Sequence, residues 1–270
     1  MGDGWYRQAF GAHYRLLYRH RDQEEARRCL ELLPTLAPLC GDGSERPVLD
    51  LGCGDGRHLD RLRRAGVPAV GLDLSWDLLT AARDNADGGE PLRLVRGDMR
   101  ELPLRAESVA AVLSLFTAFG YFAEAGANEA VVREIARVLT RQGHWFLDFF
   151  DTAKVRRELA DGLPRRRERC EGPLLIREER RIGGTGDSVT KKVRLSAVGG
   201  QEREAAAWGI GDAGLEYEES VALLDLGELD AMARRNGMIR VAAAGDYDGR
   251  PLHEGSRWIL VYRRRGESGS

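Results

Sequence analysis

From its amino end the chain first shows apolar and aromatic positions three and four residues apart. Tyr6, Phe10, Tyr14, Leu17 and Tyr18 give one helix an aromatic face. A second helix is predicted from about Gln23 to Leu33, with Ala26, Cys29, Leu30 and Leu33 on its apolar stripe, and Pro34 and Pro38 are expected to break it. From Pro47 the period changes. The short apolar run Pro47-Val48-Leu49-Asp50-Leu51 reads as a buried strand, followed by a helix carrying Leu59, Leu62 and Ala65. A strand from Ala69 to Leu74, a helix from Leu78 to Ala86 and a strand from Leu92 to Val95 come next. Then follow a strand from Val109 to Leu115, a strongly periodic helix from Glu129 to Leu139 and a fifth strand from Trp145 to Phe150. Strand and helix in alternation imply a mostly parallel sheet with helices on both faces.

After a polar helix near Thr152 to Leu159 the rhythm becomes alternating and rich in charge and glycine. Antiparallel strands are predicted over Leu174 to Arg181, Val189 to Ala197, Glu204 to Ile210 and Leu215 to Leu224, with turns at Gly183-Gly184 and Gly199-Gly200. Helical pattern returns at Leu226 to Asn236, with Gly237 as its C-cap, before strands over Met238 to Ala244 and Arg257 to Arg263. The expected architecture is an α/β, Rossmann-like, seven-stranded and mostly parallel sheet. Residues 46–162 and 226–265 form this domain, 1–45 a helical lid, and 163–225 an antiparallel β insertion. The first 45 residues also read, more plainly, as an amphipathic pair packed on the main domain.

Composition narrows the class. Of 270 residues, 43% are hydrophobic, and 41 basic against 43 acidic side chains give a formal charge of -2. Near-neutrality argues against a nucleic-acid binder, whose phosphate contacts demand net positive charge. The run Arg165-Arg166-Arg167 with Arg169 is locally neutralised by Glu168, Glu171, Glu178 and Glu179, so a solvated strand face is the better reading. No apolar run reaches the roughly 20 residues of a membrane span, and the amino end has no apolar signal core, so a cytoplasmic location is expected. Cys29, Cys40, Cys53 and Cys170 form no CxxC pair and no ligand spacing, so reduced structural thiols and no metal are expected.

The chemistry gathers at the strand ends. Asp50 closes the first strand just before a turn with glycine at every second position, Gly52, Gly54 and Gly56. Asp73 closes the second, and Asp98 follows the third. In open α/β sheets ligands bind beyond these carboxyl ends, where the strand order switches. A carboxylate ending the second strand can accept from both ribose hydroxyls, and that leaves dinucleotides and other adenosine ligands equally open. The glycine spacing departs from the pyrophosphate pattern G-x-G-x-x-G, and no Walker-type Lys-Ser/Thr is present.

Taken together, the motifs resemble the class I S-adenosylmethionine-dependent methyltransferases of small-molecule type. Val48 to Gly56 is similar to their first motif, Gly71 to Ser75 to the second, Gly97-Asp98-Met99 to the third, and Ser114 to Phe122 to their fourth-strand region. Arg137 to His144 resembles the helix end and turn before the fifth strand, with Gln142-Gly143 in place of the usual Pro-Gly. The resemblance implies S-adenosyl-L-methionine as cofactor and S-adenosyl-L-homocysteine as product. By position it implies that Gly52, Cys53, Gly54 and Gly56 approach the methionine part and that Asp50 holds its amino group. Asp73 would take the ribose hydroxyls and Leu74 would flank the adenine. Asp98 and Met99 would meet the adenine edge, Leu115 the methionine portion, and Tyr14 and Arg21 the carboxylate.

Catalytic residues are less legible. Tyr121, Tyr247 and His253 are weak candidates for a base, and Asp151 reads as wall or surface. His58 reads as capping or packing, His144 as structural, and His13 and His20 as part of the lid. The expected function is N- or O-methylation of a small molecule. The alternatives are a fold repurposed for elimination or cyclisation, a non-catalytic partner subunit and, less favoured, an RNA methyltransferase. Self-association or a partner subunit is compatible with the chain.

Overall fold

A computed structural model describes residues 9–11, 13–17, 23–40, 46–86, 90–122 and 126–265. The chain divides into two compact units. The larger comprises 23–120, 124–153 and 224–270, and the smaller comprises 1–22, 121–123 and 154–223.

The larger unit is built on a seven-stranded sheet. Its strands are β1 (Val48–Leu51), β2 (Ala69–Asp73), β3 (Leu94–Arg96), β4 (Val109–Ser114) and β5 (Leu139–Phe150). Two later strands, β10 (Met238–Ala244) and β11 (Arg257–Arg264), complete it after four strands of the other unit. The order is β10-β11-β5-β4-β1-β2-β3. β1 to β5 pair in parallel, whereas β11 runs antiparallel to both β5 and β10. From β1 the chain winds outward through β2 and β3, then returns to place β4 on the other side of β1. The switch in direction therefore falls between β1 and β4.

Burial explains why these runs are strands. β1 and β4 are buried at every position, as a parallel strand covered on both faces must be. Helix Gln23–Leu36 lays Cys29, Leu32 and Leu33 on the sheet face carrying Val48, Leu113, Phe146 and Val261. It continues past Pro34, against the expectation that this residue would end it. Pro34 stands in the last turn, where Ala37 N–H still reaches the Leu33 carbonyl at 3.2 Å and Thr35 Oγ1 donates to the Leu32 carbonyl at 2.7 Å. Helix Leu226–Arg235 opens with a full capping box, Asp225 and Glu228 each accepting from the other's backbone N–H.

The expected break between the helix ending near Leu139 and a strand starting at Trp145 is absent. Helix Ala127–Val138 passes directly into β5, which starts at Leu139. Register against β4 shifts from Val109↔Leu139 to Ala111↔His144, so Gln142 (φ 67°) and Gly143 form a bulge inside the strand. A Cβ at Gly143 would stand 3.0 Å from the Ala110 and Thr140 carbonyl oxygens, a tight contact that glycine avoids. His144 follows the bulge, half-buried, with burial pushing its pKa down.

The smaller unit holds a four-stranded antiparallel sheet: β6 (Arg165–Glu171), β7 (Leu174–Ile182), β8 (Ser188–Ala197) and β9 (Leu215–Ala222), in that order. The charged run at Arg165 is a strand with a largely exposed side, in line with its reading as a solvated strand face. One expectation is corrected: Glu204 to Ile210, expected to be a strand, begins instead inside the short helix Glu202–Ala206. One face of the sheet packs Leu174, Ile176, Val193, Leu195 and Tyr217 with Ala9, Leu17, Ala205 and Ile210. The first 45 residues thus divide between the units. Helix Gln23–Leu36 belongs to the large sheet, while the described residues before it belong to the small one.

Candidate functional site

The carboxyl ends of β1, β2, β4 and β5 bring together most of the residues singled out from the sequence. The glycine turn starts where Gly52 and Cys53 both donate to the Leu72 carbonyl of β2, at 2.8 and 3.0 Å. Gly52 has φ +78°, and a Cβ there would lie 2.9 Å from the Ala118 Cβ, so glycine lets the turn and the segment after β4 approach each other. At Gly54 (φ +56°) none of the described residues lies within 4 Å of where a Cβ would be, and among them that side of the turn is open. The Cys53 side chain, by contrast, is buried behind the turn against Gly71, so only its backbone is available.

Asp50 is 1% exposed and its Oδ2 has no hydrogen-bond partner among the described residues. Burial pushes its carboxyl up to about 7, Arg57 pulls it down, and Asp73 and Asp55 add to the rise. Asp73 accepts from Gly54 N–H at 2.9 Å and Ser75 N–H at 2.8 Å, yet burial still holds its pKa above the usual range. Asp98 differs. Burial raises its pKa, but the Arg100 guanidinium, 2.6 Å away, and the Arg100 backbone N–H outweigh that, and the carboxyl lies below its ordinary value. Leu74 and Met99 are partly buried beside these carboxylates, and Leu115 is buried at the end of β4, its carbonyl accepting from Ala118 N–H.

A second cluster escaped the sequence reading. Asp148, near the carboxyl end of β5, is fully buried. Its Oδ2 accepts from Phe116 N–H at 2.8 Å, the Tyr247 hydroxyl at 2.6 Å and Arg257 Nη2 at 2.9 Å, while its Oδ1 accepts from Arg257 Nε. Phe116 and Thr117 are consecutive non-glycine residues in the left-handed region, φ 53° and 61°. The Phe116 ring has the Arg57 guanidinium 4.0 Å from its centroid, Arg257 at 5.0 Å and the His58 ring at 5.2 Å. The available signal was a lone acid inside the apolar run Trp145 to Phe150, since a buried carboxylate requires a partner.

The weak catalytic candidates separate. Tyr247 joins the Asp148 cluster, where its hydroxyl is a donor. Burial and the neighbouring carboxylate push its pKa far up, so it is unsuited to act as a base. His253 is exposed on the loop before β11, its Nδ1 3.2 Å from the Pro251 carbonyl. Tyr121 and Tyr14 belong to the smaller unit, each edge-on to Phe10. Arg21 and His20 lie outside the described residues. Asp151 caps the following helix through Ala153 N–H and accepts from Gly255 N–H. His58 is buried, its Nε2 without a hydrogen-bond partner among the described residues, and burial drives its pKa well down, which keeps the ring neutral.

Residues 48–143 match the family model described as a methyltransferase domain. The cypemycin N-terminal methyltransferase of a Streptomyces species is 29% identical over 224 residues, covering 82% of this chain and 83% of its own. The dTDP-3-amino-3,4,6-trideoxy-alpha-D-glucopyranose N,N-dimethyltransferase of Streptomyces venezuelae is 29% identical over 143 residues, 51% of this chain and 58% of its own. Among solved structures, an S-adenosylmethionine-dependent methyltransferase from Clostridium acetobutylicum superposes with a TM-score of 0.73 at 14% identity, over 94% of this chain and 96% of its own.

Proposed function

We propose that this chain, whose residues 48–143 match the methyltransferase-domain family model, is a class I S-adenosylmethionine-dependent methyltransferase that methylates a nitrogen or oxygen of a small molecule using S-adenosyl-L-methionine. The observation that carries the reading is Asp50: a buried carboxylate oxygen with no partner among the described residues, beside an open glycine turn, at the strand switch. Such a group is unfavourable unless a ligand brings it a donor or a positive charge, and an α-ammonium group supplies both. The residues present fit this cofactor. Asp73 and Asp98 are carboxylates placed at successive strand ends for ribose hydroxyls and an adenine amino group, with Leu74 and Met99 as apolar flanks. Arg100 must share Asp98 with the adenine. Roles for Tyr14 and Arg21 at the cofactor carboxylate rest on the sequence resemblance alone.

Bound S-adenosylmethionine supplies an electrophilic sulfonium methyl group, and the chain's own task is to bind, align and exclude water. A neutral amine acceptor needs no base to attack, which suits a site whose tyrosine candidate is a committed donor. Two relatives act on nitrogen by their names, and this favours nitrogen over oxygen. Calorimetry with S-adenosyl-L-homocysteine is the first test, followed by mass spectrometry of a panel of small amines and alcohols. Binding and a methylated amine are expected. No binding at millimolar cofactor would defeat the reading, and binding without product across the panel would turn it toward a repurposed fold.

A further inference from the structure

We propose that Asp148, Arg257 and Tyr247 form a latch that positions the backbone after β4 for cofactor binding. The cofactor half of this statement rests on the methyltransferase reading. The residues meet from three separate parts of the sequence: the carboxyl end of β5, the start of β11 and the loop after β10. Strand alternation puts Asp50, Leu113, Phe146, Asp148 and Arg257 on one face of the sheet, with Asp148 one step further along the strand direction than Phe146, whose neighbour Leu113 pairs with Asp50.

What the latch holds is unusual. Phe116 and Thr117 both have positive φ, a conformation that costs a residue with a Cβ free energy and persists only where its surroundings over-determine it. Those surroundings are visible. Asp148 accepts from Phe116 N–H through its side chain and from Thr117 N–H through its carbonyl, at 2.8 and 3.1 Å. Both hydrogen bonds from the strained pair end on one residue. Arg257 engages both oxygens of Asp148 and also lies over the Phe116 ring, so it neutralises the carboxylate and covers the side chain the turn presents. Tyr247 adds a donor to the same oxygen that Phe116 uses and faces the ring at 5.8 Å. An ordinary core ion pair would need none of this convergence on a two-residue backbone distortion. Ala118, next in sequence, is the residue Gly52 packs against, so the pose of this segment is transmitted to the glycine turn. Asp148 is thus a positioning residue, acting through backbone.

The test compares the wild type with R257M, R257K, Y247F and the double variant D148L/R257M. Removing both charges relieves the unpaired carboxylate that R257M leaves, so the double variant is expected to be more stable than R257M. It still lacks the acceptor for Phe116 N–H. Hydrogen exchange of the unliganded proteins, read over 115–120, is expected to lose protection in D148L/R257M while β1 and β4 keep theirs. In calorimetry the same variant is expected to bind S-adenosyl-L-homocysteine about tenfold or more weakly, with R257K retaining more affinity than R257M and Y247F showing the smallest change. Unchanged exchange over 115–120 overturns the latch, and so does an affinity that recovers along with stability in the double variant. If the wild type itself binds no cofactor, the methyltransferase reading falls, and the exchange measurement still decides the latch.

Discussion

In the seven-stranded sheet Asp50 and Asp148 are 1% and 0% exposed, and Asp50 Oδ2 lacks a partner among the described residues. In the four-stranded sheet Arg166, Arg177 and Arg194 face glutamates on neighbouring strands and Arg181 reaches across β8 to Glu218 on β9, each with more than half of its side chain in water. Both regions are charged, but the charges do different things. On the small sheet, cross-strand pairs such as Arg177 with Glu168 are screened and contribute little individually, while the apolar opposite face carries the packing. At the strand ends of the large sheet, burial makes each carboxylate expensive to keep, so each needs a partner from the backbone, an arginine or a ligand. Asp73 takes the first, Asp148 both of the first two, and Asp50 is left for the third. Charge that is cheap reports folding, and charge that is expensive marks the site.

The sharpest break of that contrast is Asp73→Ala. It removes the proposed ribose acceptor and strands the N–H groups of Gly54 and Ser75, and we expect S-adenosyl-L-homocysteine affinity to fall roughly 100-fold, as calorimetry would report. An unaltered affinity would remove this carboxylate from the site. Next comes Gly52→Ala. The backbone at φ +78° alone costs about 1–3 kcal/mol, and the clash with Ala118 adds to it, so the midpoint of denaturant unfolding should drop measurably.

A pH series sharpens the role of Asp50. Its folded-state pKa is raised to about 7, so without ligand the folded protein holds a proton that the unfolded chain has released. Stability contributed by Asp50 is therefore greatest in acid and declines as pH rises between about 4 and 7. A cationic ligand group selects the ionised carboxylate. Cofactor affinity should accordingly strengthen by up to about tenfold per pH unit below 7, level off above it, and lose that dependence in Asp50→Asn. A flat profile in the wild type would argue that Asp50 does not meet the ligand's charge. The smallest effect is expected on the other sheet. Arg177→Ala should change stability by less than about 0.5 kcal/mol and leave cofactor affinity unmoved.

The two residues that best define the site were not equally visible. Asp50 could be found because it precedes a glycine turn whose spacing is itself a signal. Asp148 could not be assigned a role, because its meaning depends on Arg257 and Tyr247, about a hundred positions away and brought alongside only when β11 inserts antiparallel to β5. Similarly, Pro34 and Gln142 looked like breaks in sequence. The packing of Cys29, Leu32 and Leu33 sustains the helix through the one, and the ladder with β4 absorbs the other as a bulge.

By itself, the sequence determined what local periodicity and turn chemistry control: the strand-helix alternation, the glycine turn and the acids at three strand ends. These follow from hydrophobic burial with a fixed period and from backbone that only glycine tolerates cheaply. Only the tertiary structure decided which buried charges find partners, which remain open to a ligand, and that two non-glycine residues after β4 are held in a left-handed turn. Those outcomes depend on desolvation and on long-range contacts, and neither is written in any short stretch of chain.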